Sequence, residues 1–480
     1  MCRGTTAAFP SSAFGEGGAM RKILTQQPKV SWLAVTVILL PWMCYEVHNQ
    51  LSKSAMVFSL RKFTNDPALI GFITSLNFAC GLLTGSIGSL VSDRIWTRYG
   101  RRRPFLVIGF LAAGVISLFL PHISFLWGFA ASVLVYQLAF HLVHPFEPLT
   151  MEVIPPAQRG RAGAIRQWIQ SGFFVFFFYV LIGQFDRTYA LPGGFTFTGE
   201  TLIYVINSLI LIGAAALLWW CVEEVKPPGA EALRLGEVQI WSLLKGLFSR
   251  ELLPLFGLGY VVMNLWVGLE QFEPLLVTDQ WGYSKAEYGE IMSYGMLIAL
   301  TVVPLGGWAS DKFDRLVLLK IGLAVVLGLK AFFYIYAEYI APNALPPFHM
   351  VILLGLIRGA VAKIMIVAAV PLLFDYVSTN RLGTLSCGLA IVFGLVNFVQ
   401  ANSMGLWISF SSGWLYGLPE GRYNYMAAYH YLFIMGLIGI GYLYLFAHWE
   451  KTGFVKRRPK TVPAAPVRSE TESTEQVDAK

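Results

Sequence analysis

The chain has 480 residues, of which 56% are hydrophobic and 13% are charged, whereas a soluble domain usually has about 25% charged residues. This composition excludes a soluble globular protein and suits about twelve apolar membrane spans of roughly 20 residues each, with short connections and two tails. The net charge of +8 does not indicate nucleic-acid binding, because Lys and Arg lie between apolar runs and form no basic face of a soluble domain.

The twelve predicted spans begin near residues 31, 67, 104, 124, 163, 201, 252, 286, 316, 349, 382 and 425. Nine of them contain apolar runs without Asp, Glu, Lys or Arg, and the turn-like residues 121–124 divide one long run into the third and fourth spans. The first, ninth and tenth spans contain charged residues. An all-α integral membrane protein is therefore predicted.

The longest internal connection follows the sixth span and divides the chain into two similar parts. We expect a cytosolic tail at residues 1–29, a six-helix bundle at 30–222, a cytosolic linker at 223–250, a second six-helix bundle at 251–449 and a disordered cytosolic tail at 450–480. Residues 1–19 lack the apolar core of a signal peptide, so Met20 is an alternative start. Most loop Lys and Arg residues lie on the side of the two termini, which predicts both termini in the cytosol and a location in the plasma membrane.

A loop sequence recurs at equivalent positions of the two parts. Gly88-Ser-Leu-Val-Ser92-Asp93-Arg94 follows the second span, and Gly306-Gly-Trp-Ala-Ser310-Asp311-Lys312 follows the eighth. The first copy continues with Arg98-x-Gly100-Arg101-Arg102-Arg103-Pro104. Two copies at matching positions indicate an internal repeat of six spans.

The full first copy resembles the loop between helices two and three of the major facilitator superfamily, which has twelve helices in two pseudo-twofold bundles of six. Its longer spacing resembles the glycoside-pentoside-hexuronide:cation symporter and sucrose-transporter branch. Pro148-Leu149-x-x-Glu152-x-x-Pro155, followed by Arg159-Gly160-Arg161, is a second point of similarity. The resemblance implies a secondary active transporter, driven by a cation gradient.

The repeated loop is predicted to be a gating motif. Asp93 can accept hydrogen bonds at a helix end, while the arginines can bind acidic groups or lipid phosphates on the cytosolic side. Such contacts favour one access state, and the resemblance implies that this state faces outward. The motif comprises Gly88, Asp93, Arg94, Arg98, Gly100, Arg101, Arg102, Arg103, Gly306, Asp311 and Lys312.

Charged residues inside the spans are candidates for proton or cation coupling, because a charge at mid-bilayer costs at least about 2.5 to 3.5 kcal/mol and so usually faces a cavity or a partner. In the first span Glu46, Asn49 and Lys53 share a face beside Tyr45 and His48; the alternative is a structural Glu46–Lys53 pair. In the fourth and fifth spans, protonation of Glu147 would release Arg166; the alternative places both near the cytosolic surface. The predicted coupling residues are Glu46, His144, Glu147 and Arg166.

Polar residues in five spans are candidates for substrate binding. The seventh span carries Asn264, Trp266, Glu270, Gln271 and Glu273 before Pro274, and amides with an indole suit the hydroxyl groups and C–H face of a neutral sugar. Arg358 and Lys363 diverge by about 140° on the tenth helix, so at least one should face the cavity. The predicted substrate residues are Tyr45, Asn49, Gln167, Gln170, Asn264, Glu270, Gln271, Arg358, Asn397 and Gln400. The alternatives are that the amides only join helices and that Glu270 and Glu273 lie at the outer end.

The leading hypothesis is a monomeric sugar:proton symporter for a glucoside or disaccharide, with Na⁺ as the alternative coupling ion and lipid as its surroundings. A second hypothesis is a carrier or exporter of a charged metabolite, whose anion would bind Arg358, Lys363 and Arg166. A third is a membrane assembly or sensing protein that moves no solute. No phosphate-binding Gly-x-x-x-x-Gly-Lys-Ser/Thr loop occurs, and the five scattered cysteines have no metal-ligand spacing. We therefore expect no enzyme activity, no cofactor and no metal site.

Overall fold

The computed structural model describes residues 23–24, 30–85, 88, 91–92, 96–155, 158–190, 192, 196–224, 252–264, 267–342, 344–376 and 382–457. Most of these residues lie in long helices, which we number as spans 1 to 12 in chain order. Most of the predicted linker and of the two predicted tails falls outside the described residues.

Spans 1 to 6 form the first half of the molecule. Span 1, residues 32–60, consists of Trp32–Leu39, Trp42–Gln50, a π-helical turn at Leu51–Ala55 and Met56–Leu60. The others are span 2 at Pro67–Gly85, span 3 at Arg103–His122, span 4 at Leu126–Val153 with a break after His141, span 5 at residues 159–184 and span 6 at Gly199–Cys221.

Spans 7 to 12 form the second half. Span 7 comprises Leu253–Asn264, Val267–Leu275 and a π-helical turn at Leu276–Gln280. The others are span 8 at Lys285–Lys312, span 9 at Arg315–Ile340, span 10 at Phe348–Phe374, span 11 at Leu382–Trp414 and span 12 at Ala427–Lys451. Two short ribbons complete the described structure: Ile23–Leu24 pairs in parallel with Val222–Glu223, and Thr188–Ala190 pairs antiparallel with Thr196–Thr198.

The helix positions confirm the predicted all-α membrane fold. Within the described residues ten helices are long and apolar enough to cross a membrane, and these are spans 2 to 6 and 8 to 12. Span 1 is more polar, since it contains Glu46 and Lys53, and span 7 is divided by two residues outside the description. Local chemistry explains several starts: Asp66 caps span 2 ahead of Pro67, and Ser284 forms a capping box with Glu287 at the start of span 8.

The two halves meet along two seams, where glycines allow close helix approach. On the first seam span 2 packs on span 11: a Cβ added at Gly405 would lie 2.5 Å from the Pro67 carbonyl oxygen, and one at Gly71 would lie 2.9 Å from that of Ala401. On the second seam span 8 packs on span 5, with Gly289 against the backbone of Phe178. Small residues are the usual means of close helix packing in membranes.

One end of the bundle is held shut by polar contacts between the halves. We call it the latched end; among the described residues it comprises 61–66, 185–190, 196–198, 279–286 and 415–426. There Arg61 Nη2 lies 2.5 Å from Asp279 Oδ2, and Lys285 Nζ lies 2.5 Å from Asp186 Oδ1. Ser409 Oγ also donates a hydrogen bond of 2.6 Å to Asp66 Oδ1. Each contact joins the first half to the second.

At the opposite end, which we call the open end, the ion pairs found among the described residues stay within one half. Glu152 pairs with Arg102 in the first half, while Asp375 pairs with Arg315 in the second. The apolar core shows the same asymmetry. One buried cluster contains first-half residues together with Phe272 of the second half, whereas residues of the second half's open end, such as Met365, form a separate cluster.

A charged central cavity as the candidate functional site

A cavity of about 250 Å³ lies between the two halves. Its walls come from spans 1, 5, 7, 8, 9 and 10, and most of them belong to the second half. Apolar walls are supplied by residues such as Phe174, Met292 and Met296. The charged wall residues are Lys53, Glu270, Glu273, Lys330, Arg358 and Lys363.

Two ion pairs in the cavity involve the carboxylates of span 7. Lys53 Nζ lies 2.7 Å from Glu270 Oε2 and so joins span 1 of the first half to the second half. Arg358 Nη1 lies 2.8 Å from Glu273 Oε1, which joins spans 10 and 7. Glu270 and Glu273 are three residues apart and therefore share one face of the helix. Span 7 thus presents two carboxylates to the cavity, each already matched by a cation.

Two further lysines in the cavity wall form no ion pair with a described residue. Within the part of the chain that the structure describes, neither Lys330 nor Lys363 lies within 4.0 Å of a carboxylate oxygen. Lys330 is only 6% exposed, and its ammonium lies 5.7 Å from the ring centroid of Tyr429, a weak cation–π contact. The described wall therefore carries four basic and two acidic residues, an excess of positive charge.

Glu46 lies behind the cavity wall. Its Oε1 accepts a hydrogen bond of 2.7 Å from Gln50 Nε2, and the charges of Lys53 and Lys363 act on its carboxylate. The structural pair considered from the sequence, Glu46 with Lys53, is not the contact that forms, because Lys53 bonds Glu270. The role of Glu46 in coupling stays a prediction.

Among the predicted substrate residues, Glu270 and Arg358 line the cavity. Several others bond within or between helices: the hydroxyl of Tyr45 donates to the Val143 carbonyl, Gln167 bonds Ser171, Gln170 bonds Arg166, Gln271 bonds Thr74 and Gln400 bonds Tyr260. Asn397 is buried, Asn49 is partly buried, and neither lines the cavity. The side chain of Asn264 and the whole of Trp266 lie outside the described residues.

The charged wall residues that the sequence-based set of sites omitted are Lys53, Glu273, Lys330 and Lys363. The sequence does indicate these four residues, because each is a charged residue inside a span, and such residues usually face a cavity or a partner. Lys330 is one of the charged residues inside the ninth span. If every charged residue inside a span is expected to face a cavity or a partner, all four are predicted as site residues.

The predicted pair of Glu147 and Arg166 is present on the first half. Arg166 Nη1 lies 3.0 Å from Glu147 Oε1, and the guanidinium stacks 3.2 Å from the ring centroid of Trp42. The Glu147 side chain is 56% exposed, so the pair lies at the surface of the open end. His144, the other predicted coupling residue of span 4, lies one turn before Glu147 and bonds His141.

The first copy of the gating motif is tied to the end of span 6. Glu224 accepts hydrogen bonds of 3.1, 3.0 and 2.6 Å from the backbone N–H groups of Arg101, Arg102 and Arg103. Gly100 has φ +109°, and a Cβ there would lie 2.9 Å from the Glu224 carboxylate, so glycine is required at this turn. Gly88 is buried against Leu142 of span 4.

The arginine side chains bind groups within the first half. Arg101 and Arg102 pair with Glu152, which belongs to the second stretch of family resemblance, and Arg98 stacks on Tyr99. Asp93 and Arg94 lie outside the described residues. In the second copy Gly306 packs on Ile364, while Asp311 is 84% exposed and Lys312 lies over Trp308. These contacts place both copies at the open end.

Comparison with solved structures shows the same architecture in several transporters. A bacterial homologue of the human lysosomal transporter Spinster, in an inward-facing and occupied conformation, is 16% identical with a TM-score of 0.64, covering 87% of this chain and 96% of that chain. A D-xylose–proton symporter is 16% identical with a TM-score of 0.62, covering 88% and 98%. The nucleoside transporter NupG is 12% identical with a TM-score of 0.61, covering 87% and 98%. At these identities the likeness is one of fold.

No curated protein matches the chain. The sequence model of the Major Facilitator Superfamily, in contrast, matches residues 31–401. This stretch covers most of the chain and includes both copies of the gating motif. The chain therefore belongs to the major facilitator superfamily and is a multi-pass membrane transporter rather than an enzyme.

Proposed function

We propose that this protein is a secondary transporter that carries a small organic anion together with a proton by alternating access. One observation carries the choice of substrate: Lys330 and Lys363 face the cavity without a carboxylate partner among the described residues. An ammonium group with little water around it is costly unless an anion offsets its charge. A substrate with a carboxylate or phosphate group supplies that anion.

The size of the cavity supports a small metabolite as the cargo. About 250 Å³ is close to the lower limit of about 300 Å³ for ordinary ligand pockets. Apolar walls at Phe174 and Met292 can contact the carbon skeleton, while Gln50 and Tyr288 offer hydrogen-bonding groups to hydroxyls. A sugar acid combines these features.

The conformation supports alternating access. With the predicted orientation, in which both termini are cytosolic, the latched end is extracellular and the structure faces inward. This is the opposite of the state that the family resemblance implies for the gating motif, which would close the cytosolic side. The Lys53–Glu270 pair crosses between the halves inside the cavity, so an arriving anion can compete with Glu270 for Lys53 and loosen the contact.

The proposal is tested with the purified protein in proteoliposomes, by uptake of labelled glucuronate and labelled glucose under an imposed pH gradient. We expect glucuronate to accumulate and glucose to compete poorly. Each of Lys330→Gln and Lys363→Gln should weaken glucuronate affinity by about 10-fold to about 150-fold, since a hydrogen bond to a charged group contributes about 1.5–3 kcal/mol. Lys320→Gln is the matched control, because Lys320 lies on span 9 but contacts Tyr444 away from the cavity.

A neutral sugar carried with a proton is the second candidate. It is favoured by the resemblance of the gating motif and of the fold to sugar symporters, one of which is a D-xylose–proton symporter. Glucose or sucrose uptake that equals or exceeds glucuronate uptake, and that survives Lys330→Gln and Lys363→Gln, would decide for it. A protonophore should abolish accumulation in either case, and a protein that moves none of these solutes would favour the assembly or sensing hypothesis.

A further inference from the structure

We infer that the coupling proton binds to a histidine pair, His141 and His144, in the first half and outside the substrate cavity, and that its arrival draws Glu147 away from Arg166. This inference rests on the proposed proton-coupled transport and locates its proton site. The pair belongs to span 4, where the helix breaks between its two segments. The substrate cavity is lined mainly by the second half, so the two sites are separate.

The pair is part of a continuous hydrogen-bond chain. His141 Nδ1 lies 2.9 Å from His144 Nε2, and His141 Nε2 lies 2.9 Å from Asn77 Oδ1. The same amide oxygen, Asn77 Oδ1, lies 3.3 Å from His48 Nε2. His48 Nδ1 then lies 3.1 Å from the hydroxyl of Tyr136. The chain links spans 1, 2 and 4.

The chemistry of these atoms leaves one position for an added proton. Asn77 Oδ1 is an acceptor, so both histidines that contact it must carry hydrogen on Nε2. Neutral His141 then has an unprotonated Nδ1, which accepts the hydrogen on His144 Nε2. His48 Nδ1 likewise accepts from Tyr136. Both Nδ1 atoms of the pair then lack hydrogen: His141 Nδ1 accepts a bond from His144, whereas no donor to His144 Nδ1 is found among the described residues, so His144 Nδ1 is the position open to an added proton.

A proton that binds His144 Nδ1 makes an imidazolium whose Nε2–H bond to His141 becomes charge-assisted and therefore stronger. The neutral arrangement inferred from these contacts is the form expected after the proton has been released. Because the conformation faces the cytosol under the predicted orientation, release on this side is consistent with import.

Two glycines of span 2 leave room for the two imidazoles. A Cβ added at Gly85 of span 2 would lie 2.7 Å from His144 Cδ2, and one at Gly81 would lie 3.1 Å from His141 Cε1. His48 stacks on Phe140 with ring centroids 3.5 Å apart. Larger residues at the two glycines would displace the histidines.

The charged and titratable groups that face the pair come from three spans. Span 4 contributes Glu147, whose charge acts on His144, and span 5 contributes Arg166, which holds Glu147. Span 1 contributes His48, which faces His141, and Tyr45, which lies near Glu147 and Arg166. Since Glu147 is 56% exposed at the open end, it connects the partly buried pair to water.

Protonation therefore changes the bonding of a carboxylate between two helices. An imidazolium at His144 attracts Glu147, which at present bonds Arg166 on span 5. Span 5 packs on span 8 across one seam between the halves. On span 2 a face next to the one that meets the histidines packs on span 11, where a Cβ at Gly394 would lie 3.3 Å from Leu82 and 3.5 Å from the Phe78 carbonyl oxygen. The proton site thus adjoins both seams and can bias their opening.

The first test counts protons and needs no substrate. Wild type, the double variant His141→Gln/His144→Gln and the control His349→Gln, an exposed histidine at the start of span 10, are titrated in detergent from pH 8 to pH 5 with a pH-sensitive dye. We expect wild type to take up about one proton more than the double variant, since a pair sharing one hydrogen bond binds one proton before the second is repelled. The His349→Gln variant controls for the effect of a histidine substitution on the protein in detergent. Equal uptake by wild type and double variant overturns the inference.

The second test separates coupling from transport. In proteoliposomes one pH unit can drive about tenfold accumulation per coupled proton. We expect His144→Gln to lower the ratio of gradient-driven accumulation to glucuronate exchange by about that factor, while His349→Gln keeps the wild-type ratio. An unchanged ratio in His144→Gln overturns the inference but leaves the proposed function in place. Wild-type protein that neither exchanges nor accumulates any solute would overturn the proposed function, and the proton count then still decides whether the pair binds a proton.

Discussion

The seam between spans 2 and 11 makes a sharp prediction about the conformational equilibrium. In Gly405→Ala the new methyl group would lie 2.5 Å from the Pro67 carbonyl oxygen and 3.1 Å from Ala68 Cα. Both neighbours are backbone atoms, so neither can rotate away as a side chain could. Because Gly405 belongs to the second half and Pro67 to the first, separation of the halves at the latched end relieves the clash.

Overpacking by one methyl group in a tight interface costs about 1–3 kcal/mol. This free energy destabilises the latched conformation relative to one in which the seam is open, and it corresponds to a shift of about 5-fold to about 150-fold in the equilibrium between them. The shift can be measured by double electron–electron resonance between spin labels on residue 65 of the first half and residue 418 of the second. We expect the population of longer distances to increase.

Gly413→Ala is the matched control on the same helix, because no atom lies within 4 Å of a Cβ at that position. Both substitutions replace a helical glycine by alanine, which by itself favours the helix by about 1 kcal/mol. Identical distance distributions for the two variants would refute the reasoning that this seam holds the latched end shut. Gly71→Ala, with its Cβ 2.9 Å from the Ala401 carbonyl oxygen, should act in the same direction as Gly405→Ala but more weakly.

Three further predictions concern residues outside the cavity. Glu224→Gln should lower the thermal midpoint in detergent, because its carboxylate accepts hydrogen bonds from three successive backbone N–H groups, each worth about 1.5–3 kcal/mol when charge-assisted. Arg61→Gln or Asp279→Asn should open the latched end less than Gly405→Ala does, since a partly exposed ion pair contributes at most about 1 kcal/mol; a larger opening in the same spin-label assay would contradict this. Burial raises the pKa of Asp314, but the hydrogen bond from Arg457 and those from backbone N–H groups outweigh it and hold the pKa below 3.8. The contact between Asp314 and Arg457 should therefore stabilise the turn after span 12 fully above pH 3.8, the ordinary pKa of Asp, and lose this effect as the pH falls through the lower pKa of the folded state. Because the contact is fully formed at neutral pH, Asp314→Asn should already increase proteolysis of this turn at that pH.

The helices were predictable from the sequence because the bilayer imposes a local rule. A run of about 20 apolar residues is favourable in hydrocarbon whatever its neighbours are, so the predicted starts near 67, 201 and 316 lie within a few residues of the helices at Pro67, Gly199 and Arg315. The pair of Glu147 and Arg166 could also be anticipated, since the two residues lie at adjoining ends of consecutive spans.

The substrate residues were harder to predict because helical periodicity places residues on a common face without saying what that face meets. Asn397 and Gln400 do share a face, but both are buried and line no part of the described cavity. Lys330 and Lys363 come from spans 9 and 10 and meet in one cavity. No local pattern relates these two lysines.

The sequence by itself determined that this is a membrane protein with twelve spans in two related halves, and it showed a repeated loop that resembles a loop of its superfamily. Transfer into hydrocarbon and a repeated loop are both properties of contiguous residues, so no tertiary contact is needed to recognise them. Only the tertiary structure decided which end is latched, which charges share the cavity and which histidines bond each other. Those outcomes depend on contacts between residues as far apart as Lys53 and Glu270. The energy of such a contact depends on how the two residues are positioned relative to each other, and the amino-acid composition of the two helices does not determine that position.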